Sequence, residues 1–208
     1  MQRPGPCHQT LPIARPVRGG STRVLVGRLE LVLEHARTGG LLLLVNDGRS
    51  MRRWNLPLHE NAQLRVEHRA PRFPVRVALT PPLVLPPGQR RRGFVVVPVV
   101  PTIVWQRIGQ PAEIVAELLP RGLVGEWRDD ACVVCCTASW QATWPEPSPE
   151  PHVVVAVHLR NRSAATWSVD ELPFTLRDTD VVELRQRLVA RPVRVQPTSD
   201  LASTGVIA

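Results

Sequence analysis

Short apolar runs, each stopped within a few residues by proline, glycine or an Asn/Asp turn, are what this chain offers a fold. Its 22 prolines and 13 glycines are spread over the whole of its 208 residues. A proline inside a helix removes a hydrogen bond and clashes with the preceding turn, at about 3 kcal/mol or more, so long helices have little room. Where the runs can be phased, they have period two. Leu64 and Val66 alternate with Arg65 and Glu67, and Val75 and Val77 flank Arg76; one face of each is expected in a core and the other in water. Many short strands with turns at close spacing predict an all-β protein, an antiparallel β-sandwich or partly closed barrel with little helix.

Residues 1–21, with prolines and no sustained period, read as a flexible proline-rich arm, 22–197 as one β-sandwich domain, and 198–208 as a frayed tail. Within the domain, Gly27 marks a bulge or bend between Val24–Val26 and Leu29–Leu33. Thr38-Gly39-Gly40 is a turn, and Asn46-Asp47-Gly48 is a hairpin, because these residues accept the positive φ that tight hairpins demand. Pro81-Pro82 and Pro86-Pro87-Gly88 bracket a very short Leu83–Leu85, and Gln89–Gly93 reads as an arginine-bearing turn. The strands Phe94–Val97 and Ile103–Trp105 are apolar throughout and are expected to be buried on both faces. Pro98 and Pro101 must then fall at an edge, a bulge or a strand end.

Residues 112–119 fit a short helix and a strand equally well. Cys132–Cys136 reads as a core strand and Trp144–Pro151 as a rigid, extended connector. His152–Arg160 is a strand that turns at Asn161-Arg162-Ser163 and returns as Thr166–Leu172. Phe174–Arg177 and Val181–Val195 form a last pair around Asp178-Thr179-Asp180.

Leu, Val, Ile and Phe account for 62 residues, well above the ~20% below which disorder is expected. All 26 basic residues are Arg, with no Lys and no Tyr in the chain. An Ala/Val/Arg/Pro-rich vocabulary of this kind follows from coding bias, so the number of arginines alone implies no guanidinium chemistry. Their distribution says more. Residues 1–109 carry 17 Arg against 5 acids and residues 110–208 carry 9 against 13, giving +12 and −4. The basic half is either a solvated face or a contact for an anionic partner. The longest apolar stretch, the 12 residues Phe94–Trp105, falls short of the ~20 that span a bilayer. No apolar segment follows the charge at the N-terminus. No transmembrane segment, a cytoplasmic address and reduced cysteines are therefore the expectation.

Few residues are spaced for catalysis or metal binding. Cys132-x-x-Cys135-Cys136 is the nearest to a chemical motif, but a zinc site needs four convergent ligands. On a strand Cys135 faces away from Cys132 and Cys136, and the fourth cysteine, Cys7, lies in the arm. Reduced core thiols are the simpler reading, with a metal or redox site as the lesser alternative. The histidines are scattered, and neither His59-Glu60 nor Glu67-His68 puts both members on one strand face. There is no nucleophile elbow, phosphate-cradling glycine loop or His-Glu-x-x-His. No catalytic residue, metal ligand or cofactor is assigned, and an enzyme is the less favoured class. Arg90-Arg91-Arg92 is the sharp feature. With Arg52, Arg53, Arg65, Arg69, Arg72 and Arg76 it could line a basic face for phosphate or carboxylate, which Arg grips bidentately. Single-stranded nucleic acid would also need stacking aromatics. In the basic half only Trp54, Phe73, Phe94 and Trp105 are on offer, and the last two read as buried; Trp140 and Trp144 are the tryptophans expected at the surface.

Three stretches carry a resemblance to a known family: Pro82–Gly88 leading into Phe94–Trp105; Glu113–Gly125 followed by Cys132–Trp140; and Val157-His158-Leu159-Arg160-Asn161-Arg162-Ser163 with Trp167 and the Phe174–Val195 pair. From about Leu41 to Gln196 the chain resembles a β-rich family of archaeal and bacterial proteins catalogued as a domain of unknown function. The resemblance implies a β-rich fold and no catalytic residue. The leading expectation is a non-enzymatic structural or protein-interaction module, homo-oligomeric or with a protein partner. The alternative is a nucleic-acid or anion-binding module using Arg90, Arg91 and Arg92.

Overall fold

The computed structural model describes residues 10–57, 62–118, 120, 122–128, 131–148, 150–197 and 204–207. Cys7, His59-Glu60, Asp129-Asp130 and most of the tail after Pro197 lie outside them. The protein is all-β, with one short 3-10 turn, Asp178–Asp180, among the described residues. No helix there is long and apolar enough to cross a membrane. The chain forms two compact units: Met1–Arg69 with Val100–Leu119 and Ser148–Pro151, and Ala70–Val99 with Pro120–Pro147 and His152–Ala208.

The first unit is a sandwich of two four-stranded sheets. One is a meander of β2 (Ser21–Val26), β3 (Leu29–His35), β4 (Leu41–Asn46) and β5 (Met51–Leu56), in that order. The other has the order β1 (Thr10–Ile13), β6 (Ala62–Arg69), β9 (Val100–Arg107), β10 (Glu113–Glu117), all antiparallel. Period-two alternation delivers Leu31, Leu33 and Leu43 from the meander to the same core as Leu64, Val66 and Ile103, each worth about 1.5–3 kcal/mol of burial. Gly27, at φ +59°, closes the β2–β3 hairpin rather than bending one strand. Asp47 accepts from the backbone N–H of Arg49 and Ser50 at 2.8 and 2.7 Å and shapes the β4–β5 turn. Thr10–Ile13, within the stretch read as an arm, pairs with β6. Residues 113–117 are strand, because Leu118 N–H donates to Pro101 C=O at 2.8 Å and draws the segment onto β9.

The second unit also has two sheets. One has the order β11 (Val124–Arg128), β12 (Ala131–Ala138), β7 (Val75–Leu85), β14 (Trp167–Phe174). The other runs β15 (Val181–Leu184), β16 (Arg187–Pro197), β13 (His152–Arg160), β8 (Arg90–Pro98), with β17 (Thr204–Ile207) also on β16. β12 and β7 of the first sheet pack on β8 of the second, and β14 packs on β16 and β17. The β12–β7 and β13–β16 pairings are parallel, so these sheets are mixed rather than antiparallel throughout.

Four local expectations change here. β7 is a single strand through Pro81-Pro82, whose ladder with β14 skips residues 79–82, so the prolines leave no unmade bond. The turn before β8 is Pro86–Gln89, closed by Gln89 N–H to Pro86 C=O at 3.2 Å; Arg90–Gly93 are strand. β13 and β14 do not form a hairpin. Val153–Val155 are buried on both faces, and β13 takes β8 on one edge and β16 on the other while β14 crosses to β7. Finally, Val181–Val195 is itself a hairpin, turned by Arg185 and Gln186 at φ 50° and 63°.

Candidate anion-binding face

Arg90, Arg91 and Arg92 open β8, and strand alternation separates them. Arg91 stands opposite Leu159 in the ladder, whereas Arg90 faces Arg160 and Arg92 faces His158. On the far side of β13, His158 is level with Arg194 of β16. One face of three adjacent strands therefore presents Arg90, Arg92, His158, Arg160 and Arg194, with Arg162 just beyond the end of β13. Phe94 turns both backbone groups away from β13, to Gln141, at 2.8 and 3.0 Å. The uninterrupted register makes Arg92–His158 and Arg90–Arg160 non-hydrogen-bonded pairs like Phe94–Ala156. In such pairs the Cα atoms are only about 4.5 Å apart and the side chains are closest. Like charges directly opposite each other destabilise a sheet.

Among the described residues no carboxylate pairs with these side chains. Arg65 and Arg69 both hold Glu67, at 2.7 Å each; Arg76 pairs with Glu171 at 2.9 Å. Among the described residues, Arg90, Arg92, Arg160, Arg162 and Arg194 have no ion pair or side-chain hydrogen bond. Two of the groups feel their neighbours' charge. The guanidiniums of Arg162 and Arg90 hold Arg160 below its ordinary value. Partial burial, then Arg92 and Arg194, push His158 below the usual imidazole value of 6.5. His158 is consequently held neutral in the folded protein where an unfolded chain would take up a proton. A depressed native pKa gives stability that is present above the unfolded pKa and lost as pH falls through it. Urea melts at pH 7.5 and 5.5 are expected to show an acid loss of stability that is smaller in His158→Gln; equal losses in the two proteins would contradict this.

The loop at the end of β13 is fastened by Asn161, which is fully buried. Its Nδ2 donates to Leu85 C=O at 2.9 Å and Ala165 C=O at 2.7 Å. Its Oδ1 accepts from Ser163 N–H at 3.0 Å and Ser163 Oγ at 2.7 Å. Its backbone ties the loop to Gly88 and Gln89, so Arg160 and Arg162 are carried by the same clamp that ends the turn before Arg90.

The other end of this sheet face is covered. After β12 the chain pairs Gln141 with Phe94, places the Trp144 ring edge-to-face with Phe94 at 5.2 Å, and presents Pro145 C=O to Arg187 of β16. The segment thus passes over β13, where Val154 is fully buried on that face, and stops at the border of the arginines.

The other arginines named from the sequence lie on different elements. Arg52, Arg53, Arg65 and Arg69 belong to the first unit, and Arg76 lies on the other sheet of the second. Conversely, sequence reasoning missed His158, Arg160 and Arg194, which lie in the half of net negative charge. Cys132 and Cys136 lie on β12, in the other sheet of this unit. Burial pushes the Cys136 thiol up to about 11, which keeps it protonated and unreactive at neutral pH. Among the described residues no group of His, Cys, Asp and Glu is placed to hold a metal.

A family model described as "Protein of unknown function (DUF432)" matches residues 15–206. The chain belongs to that family. The DUF432 match takes in β8, β13 and β16 entire, and extends beyond the Leu41–Gln196 stretch in which the resemblance was read. No curated protein and no solved structure gives a significant match.

Proposed function

We propose that this protein is a non-enzymatic interaction module whose second unit docks an anionic partner on the outer face of β8, β13 and β16. The observation that carries this reading is the facing of Arg90 with Arg160 and of Arg92 with His158, which is level with Arg194 on its other side, with no acid among these residues. A sheet that needed only solubility would intersperse both signs, since like charges directly opposite one another lower stability. Three neighbouring strands with arginines at matched heights suit a partner with several phosphates or carboxylates, each gripped by a planar guanidinium fork. Non-specific steering by net charge alone would depend on the total of +8 and not on these positions.

Inorganic polyphosphate is a suitable probe, because it has negative charge and nothing else to recognise. At about 150 mM salt, calorimetry is expected to show binding by the native protein and a clear loss in Arg92→Ser/Arg194→Ser. The log–log salt slope is expected to shrink by roughly two, as two counterions are no longer released. Arg52→Ser/Arg53→Ser removes the same charge from the first unit and is expected to change little. Equal losses in the two double variants would reduce the effect to net charge and overturn the reading.

A further inference from the structure

We infer that the anionic partner is single-stranded nucleic acid, with the Trp144 indole as the platform on which a base stacks beside the arginine face. This rests on the anion-binding reading above and adds an identity to the ligand. Phe94 is two residues along β8 from Arg92 and on the same side of the strand, about 7 Å away. The Trp144 ring lies against Phe94, and the residue is 41% exposed. Phe94 meets it edge-to-face, with planes 70° apart, so Phe94 can cover at most one face of the indole.

The ring is also held in place from both sides. Gln141 is hydrogen-bonded to Phe94 through both backbone groups, and Pro145, directly after the tryptophan, is buried and accepts from Arg187. A platform fixed before binding loses little conformational freedom when a base settles on it.

The chemistry of the two neighbouring features selects the ligand. Arginines recognise phosphate and carboxylate alike, so they alone do not separate a nucleic acid from an acidic peptide. An exposed indole next to them adds stacking, which every nucleobase accepts irrespective of sequence. A duplex keeps its bases paired and stacked inside, out of reach of such a platform, whereas a single strand can offer a base and its flanking phosphates together. The sequence-level objection to nucleic acid was the lack of exposed aromatics in the basic half. It disappears because the platform is Trp144, at the start of the Trp144–Pro151 connector, beside Phe94 of β8.

Anisotropy with a labelled twelve-nucleotide oligothymidylate, at about 150 mM salt, tests this against inorganic polyphosphate and polyglutamate. Trp144→Ala is expected to weaken oligothymidylate binding about tenfold or more, to leave the salt slope unchanged, and to leave polyphosphate binding unchanged. Trp144→Phe is expected to retain most of the affinity. Ultraviolet cross-linking of a bromouridine-substituted oligonucleotide to the native protein, mapped by mass spectrometry, needs no variant and is expected to mark Trp144. If Trp144→Ala binds oligothymidylate as the native protein does while Arg92→Ser/Arg194→Ser weakens it, stacking is refuted and the anion-binding face stands. Polyglutamate binding as tight as oligothymidylate, insensitive to Trp144→Ala, would make the partner an acidic protein. No binding of any of the three by the native protein would remove both readings.

Discussion

Gly93→Ala is expected to cost the second unit about 3 kcal/mol, at the upper end of what an inserted methyl costs in a packed site. A Cβ at Gly93 would stand 2.5 Å from Cε2 and Cζ2 of Trp140 and 2.6 Å from the Gln141 carbonyl oxygen. The first two contacts could be relieved by moving a ring. The third is backbone, and that backbone is fixed by the paired bonds between Gln141 and Phe94, at 2.8 and 3.0 Å. Relief therefore means parting Gln141 from β8, which releases the segment that seats Trp144. Urea denaturation followed by tryptophan fluorescence reads both consequences, a lower midpoint and an altered native emission. Gly125→Ala is the matched control. Its Cβ would meet nothing within 4 Å, so a change within about 0.5 kcal/mol is expected. A Gly93→Ala protein as stable as Gly125→Ala would show that the Trp140–Gln141 contact is not closed in solution.

What could be read in the sequence follows from the range of the forces involved. Alternation is local, so β6 and the start of β7 are legible residue by residue, and the fold class follows from the number of such short runs. Turns that rely on glycine or on an Asx side chain are legible for the same reason, as at Asn46-Asp47-Gly48. The Arg185-Gln186 turn is not, because its two positive φ values are borne by residues that ordinarily avoid them and are imposed by the pairing of β15 with β16. Partner choice between strands is not local either. Thr166–Leu172 looks like the return of His152–Arg160 until β8 and β16 occupy both of β13's edges. Two units interleaved along the chain are invisible to a reading by halves.

The candidate site failed to appear for that last reason. Counting charge along the chain put +12 in the first half and −4 in the second, and drew attention to Arg90-Arg91-Arg92 as a run. The structure uses the run differently. Arg91 leaves it, while Arg90 and Arg92 join His158, Arg160 and Arg194 from the half with the opposite sign. The usable signal is His158-x-Arg160, two polar groups at strand period at the end of a strand that is apolar from Val153 to Val157. It becomes a site only when β8 and β16 are known to lie on either side.

Asn161→Ala is expected to lower the stability of the second unit by about 2–4 kcal/mol and to weaken polyphosphate binding with it. The substitution removes the side-chain donor to the buried Leu85 C=O and one of two donors to Ala165 C=O, which Ser163 Oγ also reaches at 2.9 Å; a buried acceptor left unpaired costs roughly 1–3 kcal/mol. It also removes the oxygen that accepts from Ser163 N–H and Oγ, so the loop carrying Arg162 keeps only the Ser163 Oγ bond to Ala165 C=O and the backbone bonds to Gly88 and Gln89. Asn161→Asp separates the two halves of the amide. The carboxylate keeps the acceptor for Ser163 but turns an oxygen towards two carbonyl oxygens, without a proton to offer them. If the donors dominate, as full burial of Asn161 and Leu85 implies, Asp is expected to be at least as damaging as Ala. If the acceptor dominates, Asp would remain close to the native protein. Urea midpoints for the three proteins decide between these outcomes. An Ala variant within about 1 kcal/mol of native, inside the range of ordinary surface changes and mild packing losses, would mean that this clamp does not hold the end of β13 where the arginines need it.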